Sequence, residues 1–411
     1  MSARIAIVGG GISGLVAAHL LHPLHDITLF EAGARVGGHT RTVPVPLAGR
    51  TWAVDTGFIV YNEKTYPAFT QLLRSLGVAT QPSTMSFSVR CDARNLEYNG
   101  TTLNTLFAQR SNLLSPSFHG MVADILRFNR RAPRALENGA AHTTLGEYLA
   151  GERYGRAFLE HYLLPMGAAV WSLPRTRLLD VPTAFFVRFF ANHGFLSVDD
   201  RPEWRTVSGG SERYVDALIP PFRHRIRAGH AVREVRRFPD RVTVDGEPFD
   251  EVILACHADQ ALRALADPSD AEREILGALP YQRNEGLLHT DPSVLPRRRL
   301  ARAAWNYRLH GGPDDPVPVT YDLNILQRLE APETLCVTLN GAGTVDPARI
   351  IERLTYDHPV FTRDGVAAQA RRSEICGVHR THYCGAYWGY GFHEDGVVSA
   401  RAVARRLGAT W

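Results

Sequence analysis

The sequence predicts an α/β fold: a doubly wound domain with an α+β domain interleaved into it. Three observations carry that prediction. The chain opens as strand, glycine turn, helix and strand in RIAIV, GGGISG, LVAAHLL and DITLFEA. Residues 62 to 204 then read mostly as helix. From residue 205 onward, short strand-like runs alternate with turns until one last helix closes the chain.

The elements follow in order. RIAIV is a short apolar run that stops at glycine, as a buried strand does. In TYPAFTQLLRSLG, FHGMVADILRFNR and TLGEYLAGERYGRAFLEHYLL, apolar residues recur at spacings of three and four, the period of an amphipathic helix. TVSGGSERYVDAL reads as a turn into a helix. HAVREVRRFPDRVTVDGEPFDEVILACHA reads as several strands with turns at PD and DG. EGLLHTD, AAWNYRL, VPVTYDLN and TLCVTLN read as strands of an antiparallel sheet. No repeat or compositional break marks a linker. The expected division is therefore interleaved, with 1–61, 205–270 and 367–411 forming the doubly wound domain and 62–204 and 271–366 the second domain.

Bulk composition excludes several function classes. The 411 residues are 45% apolar and 21% charged, which is ordinary globular composition. A net charge of +4 is too weak to argue for nucleic acid. Lys64 is the one lysine among the 46 basic residues. The five cysteines show neither a CxxC spacing nor an even count, and the histidines show no metal spacing, so neither a disulfide framework nor a metal site is expected. No apolar run reaches the 18 residues of a spanning helix, and the N-terminal run is too short for a signal segment. The expected location is the cytoplasm.

Gly9, Gly11 and Gly14 form G-x-G-x-x-G between a strand and a helix. The first glycine permits the tight turn, the second lets backbone approach a pyrophosphate, and the third lets helix pack on strand. The helix N-terminus then offers free N–H groups and a positive dipole end to the phosphates. Glu31 ends the second strand, where a carboxylate can accept both hydroxyls of an adenosine ribose. These features point to a dinucleotide on a Rossmann-type domain.

Two further stretches favour FAD over NAD. In RVGGHTRT a second glycine pair, Gly37 and Gly38, lets backbone approach the phosphates again, and Arg35 can neutralise charge there. Near the C-terminus, CGAYWGYGFHEDGVVSA combines permissive backbone with aromatics. A helix starting near Gly396, N-capped by Asp395, would aim its N-terminus at the N1 and C2-carbonyl end of a flavin ring.

GGGISGLVAA, EAGARVGGHTRT, VDTGFIVYN, VSGGSERYVDAL, DEVILACHADQAL and CGAYWGYGFHEDGVVSA together resemble the FAD-dependent amine oxidase, protoporphyrinogen oxidase and phytoene desaturase superfamily. GGHT, LACHADQAL, WNY, VTYDLN and GFHEDG look like a bacterial group of predicted NAD/FAD-binding proteins, often encoded beside cyclopropane-fatty-acid synthase-type lipid methyltransferases. The resemblance implies a flavoprotein oxidoreductase holding FAD non-covalently. It places cofactor contacts at Gly9, Gly11, Ile12, Ser13 and Gly14, at Glu31, Ala32 and Arg35, and at Gly37, Gly38, His39 and Thr40. Further contacts fall at Gly57, Phe58, Val232, Ala255, Gly385, Ala386, Asp395, Gly396 and Val397. The chain departs from the pattern at His39, where the family often has arginine, and at Ala386 and Tyr387, where an acid often stands. The lysine that amine oxidases carry near flavin N5 has no counterpart, because Lys64 lies in another segment. This counts against amine oxidation.

Hydride transfer to flavin needs positioning more than acid–base groups. If a base is used, His393 is the first choice, with Tyr387 beside it; the alternative for His393 is a ring hydrogen-bonded to hold its loop. Phe185, Phe186 and Phe189 form an aromatic stripe that is either core or the wall of an apolar tunnel or membrane-facing lip. Trp388 joins them as a candidate substrate contact. The expected substrate is hydrophobic, a lipid acyl chain above all, with peripheral membrane contact and a lipid methyltransferase as possible partners. The alternatives to dehydrogenation are a double-bond isomerase, an amine oxidase and a non-catalytic flavin-binding partner of the methyltransferase.

Overall fold

The computed structural model describes residues 2–137, 143–197, 202–310, 312, 314–315 and 317–411. RIAIV forms β1 (Arg4–Val8), buried along most of its length. The following α1 (Ile12–Leu21) is apolar nearly all round and buried nearly all round, as such a helix must be. β1 pairs in parallel with β2 (Asp26–Glu31) on one side and, on the other, with a much later strand that sets Glu251 opposite Ile5. The order across this parallel sheet is β3 (Ile226–Ala228), β2, β1, β4 (Glu251–Leu254) and Thr381–Tyr383. The chain leaves β1 toward β2 and returns to its opposite side with β4. The carboxyl end of β1, where GGGISG lies, is therefore the topological switch point at which open α/β sheets bind ligands.

The second domain centres on a seven-stranded sheet. Its order is β6 (Ile350–Pro359), β5 (Tyr281–His289), Cys336–Leu339, Val319–Asp322, Trp305–Leu309, Phe87–Cys91 and Leu96–Asn99. The last two strands come from the stretch that reads as helical in sequence. FSVRC and LEYN are too short and too polar to announce themselves; FSVRC is made a strand by pairing with Trp305–Leu309, a parallel contact in a sheet expected to be antiparallel, and LEYN by antiparallel pairing with FSVRC. β6 is an edge strand rich in charge, so it too lacks an apolar run.

The aromatic stripe lies on α2 (Thr183–Asn192). Phe185, Phe186, Phe189 and Phe190 are all buried, so this helix is no membrane-facing lip. Phe186 stacks on Phe190 at 4.1 Å, and a Cβ on Gly167 would come within 2.7 Å of its ring. Phe185 packs between Phe361 and Tyr390. The side chains of Phe185 and Phe186 are thus core, and only Phe189 reaches the cavity described below. Among the described residues, no helix is long and apolar enough to cross a membrane.

The C-terminal helix, α3 (His393–Arg406), begins three residues before the expected start. Asp395 is therefore inside the first turn and is no N-cap; its Oδ2 accepts the Phe392 N–H at 2.9 Å, reaching back to close the turn. Gly396 faces α1 rather than a cofactor ring. A Cβ there would lie 2.7 Å from Ile12 Cγ2 and 2.9 Å from Ser13 Oγ. Val397 is fully buried in the same core. Asp395, Gly396 and Val397 shape and seat α3 instead of lining the cavity. Glu394 accepts the N–H groups of Ala68 and Phe69 at 3.0 and 2.9 Å, binding α3 to the N-terminus of the helix Pro67–Ser75.

Because Phe186 is enclosed on every side, Phe186→Asp buries an unpaired charge, at a cost above about 4 kcal/mol. The expected outcome on expression is insoluble protein. A soluble, folded variant would show that α2 is a surface helix.

Candidate functional site: a two-armed cavity at the end of β1

A cavity of about 830 Å³ opens at the carboxyl end of β1 and runs between the two domains. One arm is lined by glycine backbone, and its chemistry follows from which glycines have room for a side chain. Gly9 adopts φ +113°, and a Cβ there would sit 2.7 Å from the Ala255 carbonyl oxygen. A Cβ on Gly14 would come within 1.8 Å of the Gly9 carbonyl oxygen. These two positions are closed by protein. Gly11 is different, since a Cβ there meets nothing within 4 Å. The open space over Gly11, at the N-terminus of α1 and with no acidic residue in the helix's first turn, is a phosphate cradle.

The rest of this arm matches a bound ADP. Glu31 is held at the end of β2 by the N–H groups of Gly10 and Gly33, each at 2.7 Å. Ala32 and Val232 flank it along the cavity wall. The Arg35 guanidinium donates to the Thr40 carbonyl at 2.9 Å and to the Gly38 carbonyl at 3.2 Å, bracing the second glycine pair. A Cβ on Gly38 would lie 3.0 Å from Gly11 Cα, so the two glycine loops touch. Gly9, Gly11, Ile12, Ser13, Glu31, Ala32, Arg35, Gly37, Gly38, His39, Gly57, Phe58, Val232, Ala255, Gly385, Ala386, Tyr387, His393 and Phe189 all line the cavity. The residues present fit FAD.

Several expected contacts lie elsewhere, for reasons of packing. Gly14 serves the helix–strand contact just described. Thr40 is buried, and its hydroxyl is shared by Tyr214 and His393. Trp388 does not line the cavity. It packs on Tyr387 at 5.0 Å with the Arg372 guanidinium over its ring at 5.5 Å. Tyr387 does line it, with a buried hydroxyl that has no protein partner and a phenol pushed well up by burial. Gly385 is what admits that ring, since a Cβ there would come within 2.2 Å of Tyr387 Cε1.

His393 is not built as a base. Its ring stacks on Phe58 at 3.7 Å, and its Nε2 is engaged with Thr40 Oγ1 at 2.9 Å and the Tyr214 hydroxyl at 3.1 Å. Burial lowers its pKa to about 3. This is the arrangement of a histidine that holds its loop.

The other arm is aromatic. Trp171 lies 4.8 Å from Phe189 and 6.5 Å from Phe361, and Phe189 stacks on Phe392 at 5.2 Å. Val170, Met85, Phe195, Trp204 and Tyr390 complete the wall. Trp171 and Tyr390 stand out in sequence only as aromatics near glycine. Phe361, Met85, Trp204 and Phe195 carry no local signal, because they lie on loops and a strand end that converge only in the folded chain. Between the arms stand His39, His257 and His358, with Tyr281 and Tyr356. Apart from Tyr356 and His358, two apart on β6, no sequence spacing joins these residues. Among the described residues no group of three or more His, Cys, Asp or Glu is arranged to hold a metal ion, and all five cysteines are free.

Two predictions follow from this geometry. Gly11→Val should fold with the stability of the parent within about 1 kcal/mol, because its surroundings are open, and should lose FAD, read as loss of the yellow colour after purification. Gly14→Val should fail to fold, so the pair separates a cofactor glycine from a packing glycine. The second concerns acid. An unfolded chain protonates the ring of His393 below about 6.5, while the folded ring stays neutral down to about 3. Its contribution to stability is complete above pH 6.5 and is lost as pH falls toward 3. At pH 5 that loss is about 2 kcal/mol. Thermal unfolding of His393→Asn should therefore show a shallower fall between pH 7 and pH 5 than the parent.

Comparison with known proteins agrees with the cradle. Residues 12–287 match the family described as flavin containing amine oxidoreductase. An L-amino-acid oxidase of Siganus canaliculatus is 22% identical over 325 residues, which are 71% of this chain and 56% of that protein, so the chain spans little more than half of this relative's length. Cyclohexylamine oxidase from Brevibacterium oxydans IH-35A superposes with a TM-score of 0.70 at 16% identity, covering 99% of this chain and 100% of its own. A CLA-producing fatty acid isomerase from P. acnes superposes with a TM-score of 0.67 at 16% identity, covering 99% of each chain. The chain belongs to the flavin-containing amine oxidoreductase family of FAD-dependent oxidoreductases, and FAD is the cofactor that its glycine-lined arm is shaped to hold.

Proposed function

We propose that this chain dehydrogenates a hydrophobic substrate, with a lipid acyl chain as the favoured class. The observation that carries the reading is the aromatic arm. Val170, Trp171, Phe189, Phe361, Tyr390 and Phe392 present no charged group to an occupant. The charged residues that line the cavity lie elsewhere and are mostly engaged: Arg35 on the glycine loop, Arg41 with Glu352, Arg263 with Asp259 and Asp357 with Arg283. An ammonium group entering the aromatic arm would be stripped of water without a carboxylate to receive it, which is costly. An apolar chain would be stabilised by about 0.8 kcal/mol for each methylene removed from water.

FAD bound in the first arm supplies a two-electron acceptor for hydride. The protein's own contribution is to exclude water and hold a reacting C–H bond in line, and the aromatic walls can do both. A flavin-dependent double-bond isomerase is the second reading, supported by the likeness in fold to the fatty acid isomerase. It needs the same apolar arm. Membrane contact through α2 is not part of the proposal, because that helix is buried.

The test is anaerobic mixing of FAD-loaded protein with acyl lipids, with amines and with porphyrinogens, following flavin absorbance. Bleaching by an acyl substrate, with none by small amines, is the expected result. Conversion of an unsaturated acyl chain with no electron acceptor present would select the isomerase. Rapid bleaching by a small soluble amine would overturn both readings.

A further inference from the structure

At the edge of the seven-stranded sheet, beyond its outermost strand Leu96–Asn99, the chain turns apolar side chains outward. Two short helical turns follow that strand, Leu103–Leu106 and Arg110–Leu114. They are seated by amides. Gln109 and Asn112 are buried. Gln109 accepts the Glu97 N–H at 2.9 Å and donates to the Asn95 carbonyl at 2.7 Å, while Asn112 donates to the Glu97 carbonyl at 3.2 Å. The leucines are left outside. Leu114, Leu103 and Leu113 are 89%, 76% and 50% exposed, the three highest values for large apolar side chains among the described residues. Leu300 is exposed beside them, on the turn Arg299–Ala301, which packs against both the helix Leu103–Leu106 and the strand Leu96–Asn99. One exposed leucine is ordinary. A turn that buries its amides and exposes its leucines leaves apolar surface for something else to cover.

The charge around these leucines has one sign. Residues 98–123 and 292–310 contain no aspartate or glutamate. They supply Arg110, three residues before Leu113, and Arg297, Arg298 and Arg299 directly before Leu300. Arg297 and Arg298 are paired with Asp92 and Glu97, each at 3.1 Å. Arg110 and Arg299 are exposed and form no ion pair among the described residues. Arg110 donates instead to the Asn104 side chain at 2.8 Å and to the Phe107 carbonyl at 2.9 Å, which ties the two turns together and keeps its charge uncompensated. Protein interfaces concentrate aromatic side chains and fit shaped faces. Here the apolar tips are aliphatic and stand clear of their surroundings, the form that enters fluid hydrocarbon, and arginines beside them can reach phosphate.

We propose that this edge docks on an anionic phospholipid bilayer. Leu103, Leu113, Leu114 and Leu300 enter the boundary between headgroups and acyl chains, and Arg110 and Arg299 bond lipid phosphates. The chain then lies on the membrane surface without crossing it, in keeping with the lack of a spanning helix among the described residues. None of these six residues lines the cavity or belongs to α2. The proposal is therefore independent of what occupies the aromatic arm.

The test is flotation of the full FAD-loaded chain with vesicles of phosphatidylcholine alone and of phosphatidylcholine mixed with phosphatidylglycerol. The protein should float with the mixed vesicles and be released as salt rises. Leu103→Ser combined with Leu114→Ser should weaken that partition by about tenfold or more, the scale of two apolar side chains withdrawn from the bilayer, with flavin content and thermal unfolding unchanged. Arg110→Gln combined with Arg299→Gln should weaken binding to the mixed vesicles by about tenfold. Leu24→Ser combined with Ile351→Ser, at exposed apolar positions elsewhere, should float as the parent does. A wild-type chain that does not float would overturn the proposal, and so would a Leu103→Ser, Leu114→Ser variant that floats like the parent. Equal flotation with both kinds of vesicle would overturn the part given to the arginines. A dimer in solution that the leucine substitutions dissociate, without flotation, would assign the surface to a second copy of the chain instead. Flotation needs no turnover, so failure of an acyl lipid to bleach the flavin leaves this result standing.

Discussion

The rest of the molecule depends on backbone meeting backbone around the start of α1, where there is no space for a Cβ. Gly9 is pressed on Ala255 of the β4 end, Gly14 on Gly9, Gly38 on Gly11, and Gly396 of α3 on Ile12 and Ser13. Four segments that are distant in sequence are brought within contact of one helical turn. Side chains at these positions would push the segments apart by more than the packed core tolerates. Gly11 alone is left open, so the contacts that assemble the domain also define the cradle for the phosphates.

The interleaving of the two domains has its own joint in Asp55, at the end of the strand Arg50–Asp55. Its buried carboxylate accepts from Thr42 Oγ1, from the Ser211 N–H and Oγ and from Gln327 Nε2, at 2.6 to 3.0 Å. Thr42 opens the strand Thr42–Leu47, Ser211 precedes the helix Glu212–Leu218 and Gln327 follows the helix Leu323–Leu326, so the carboxylate ties three distant segments. Burial raises the carboxyl to about 7 even against those donors. The cavity lies between domains fastened in this way, so its two arms are held at a set distance.

Within the cavity, the chemistry divides by arm. The glycine-lined arm offers N–H groups and one carboxylate, the needs of a dinucleotide. The aromatic arm offers ring faces together with the apolar side chains of Val170 and Met85. His39, His257 and His358 stand between the arms, with Asn284 Nδ2 on His358 Nδ1 at 3.1 Å. His393, within the C-terminal glycine-rich stretch, is instead engaged by Thr40 and Tyr214. A titratable residue beside a cofactor motif is thus no guide to proton handling until its partners are known.

The sequence by itself determined the β1–glycine turn–α1–β2 unit and the FAD cradle. Those properties depend on local spacing: a glycine triplet and an acid at a strand end. It could not place the start of α3, because Phe392–His393–Glu394–Asp395 carries two acids and either could open a helix; the Asp395 bond to the Phe392 N–H and the docking of Glu394 on the helix Pro67–Ser75 decided it. It could not show that Phe186 is core and Phe189 cavity wall, since both share the same stripe and only the neighbours differ. Nor could it join His39, His257 and His358. They are brought together by parallel pairing of β1 with β4 and antiparallel pairing of β5 with β6, and strand pairing across hundreds of residues is a choice made by the whole core, which no local pattern encodes.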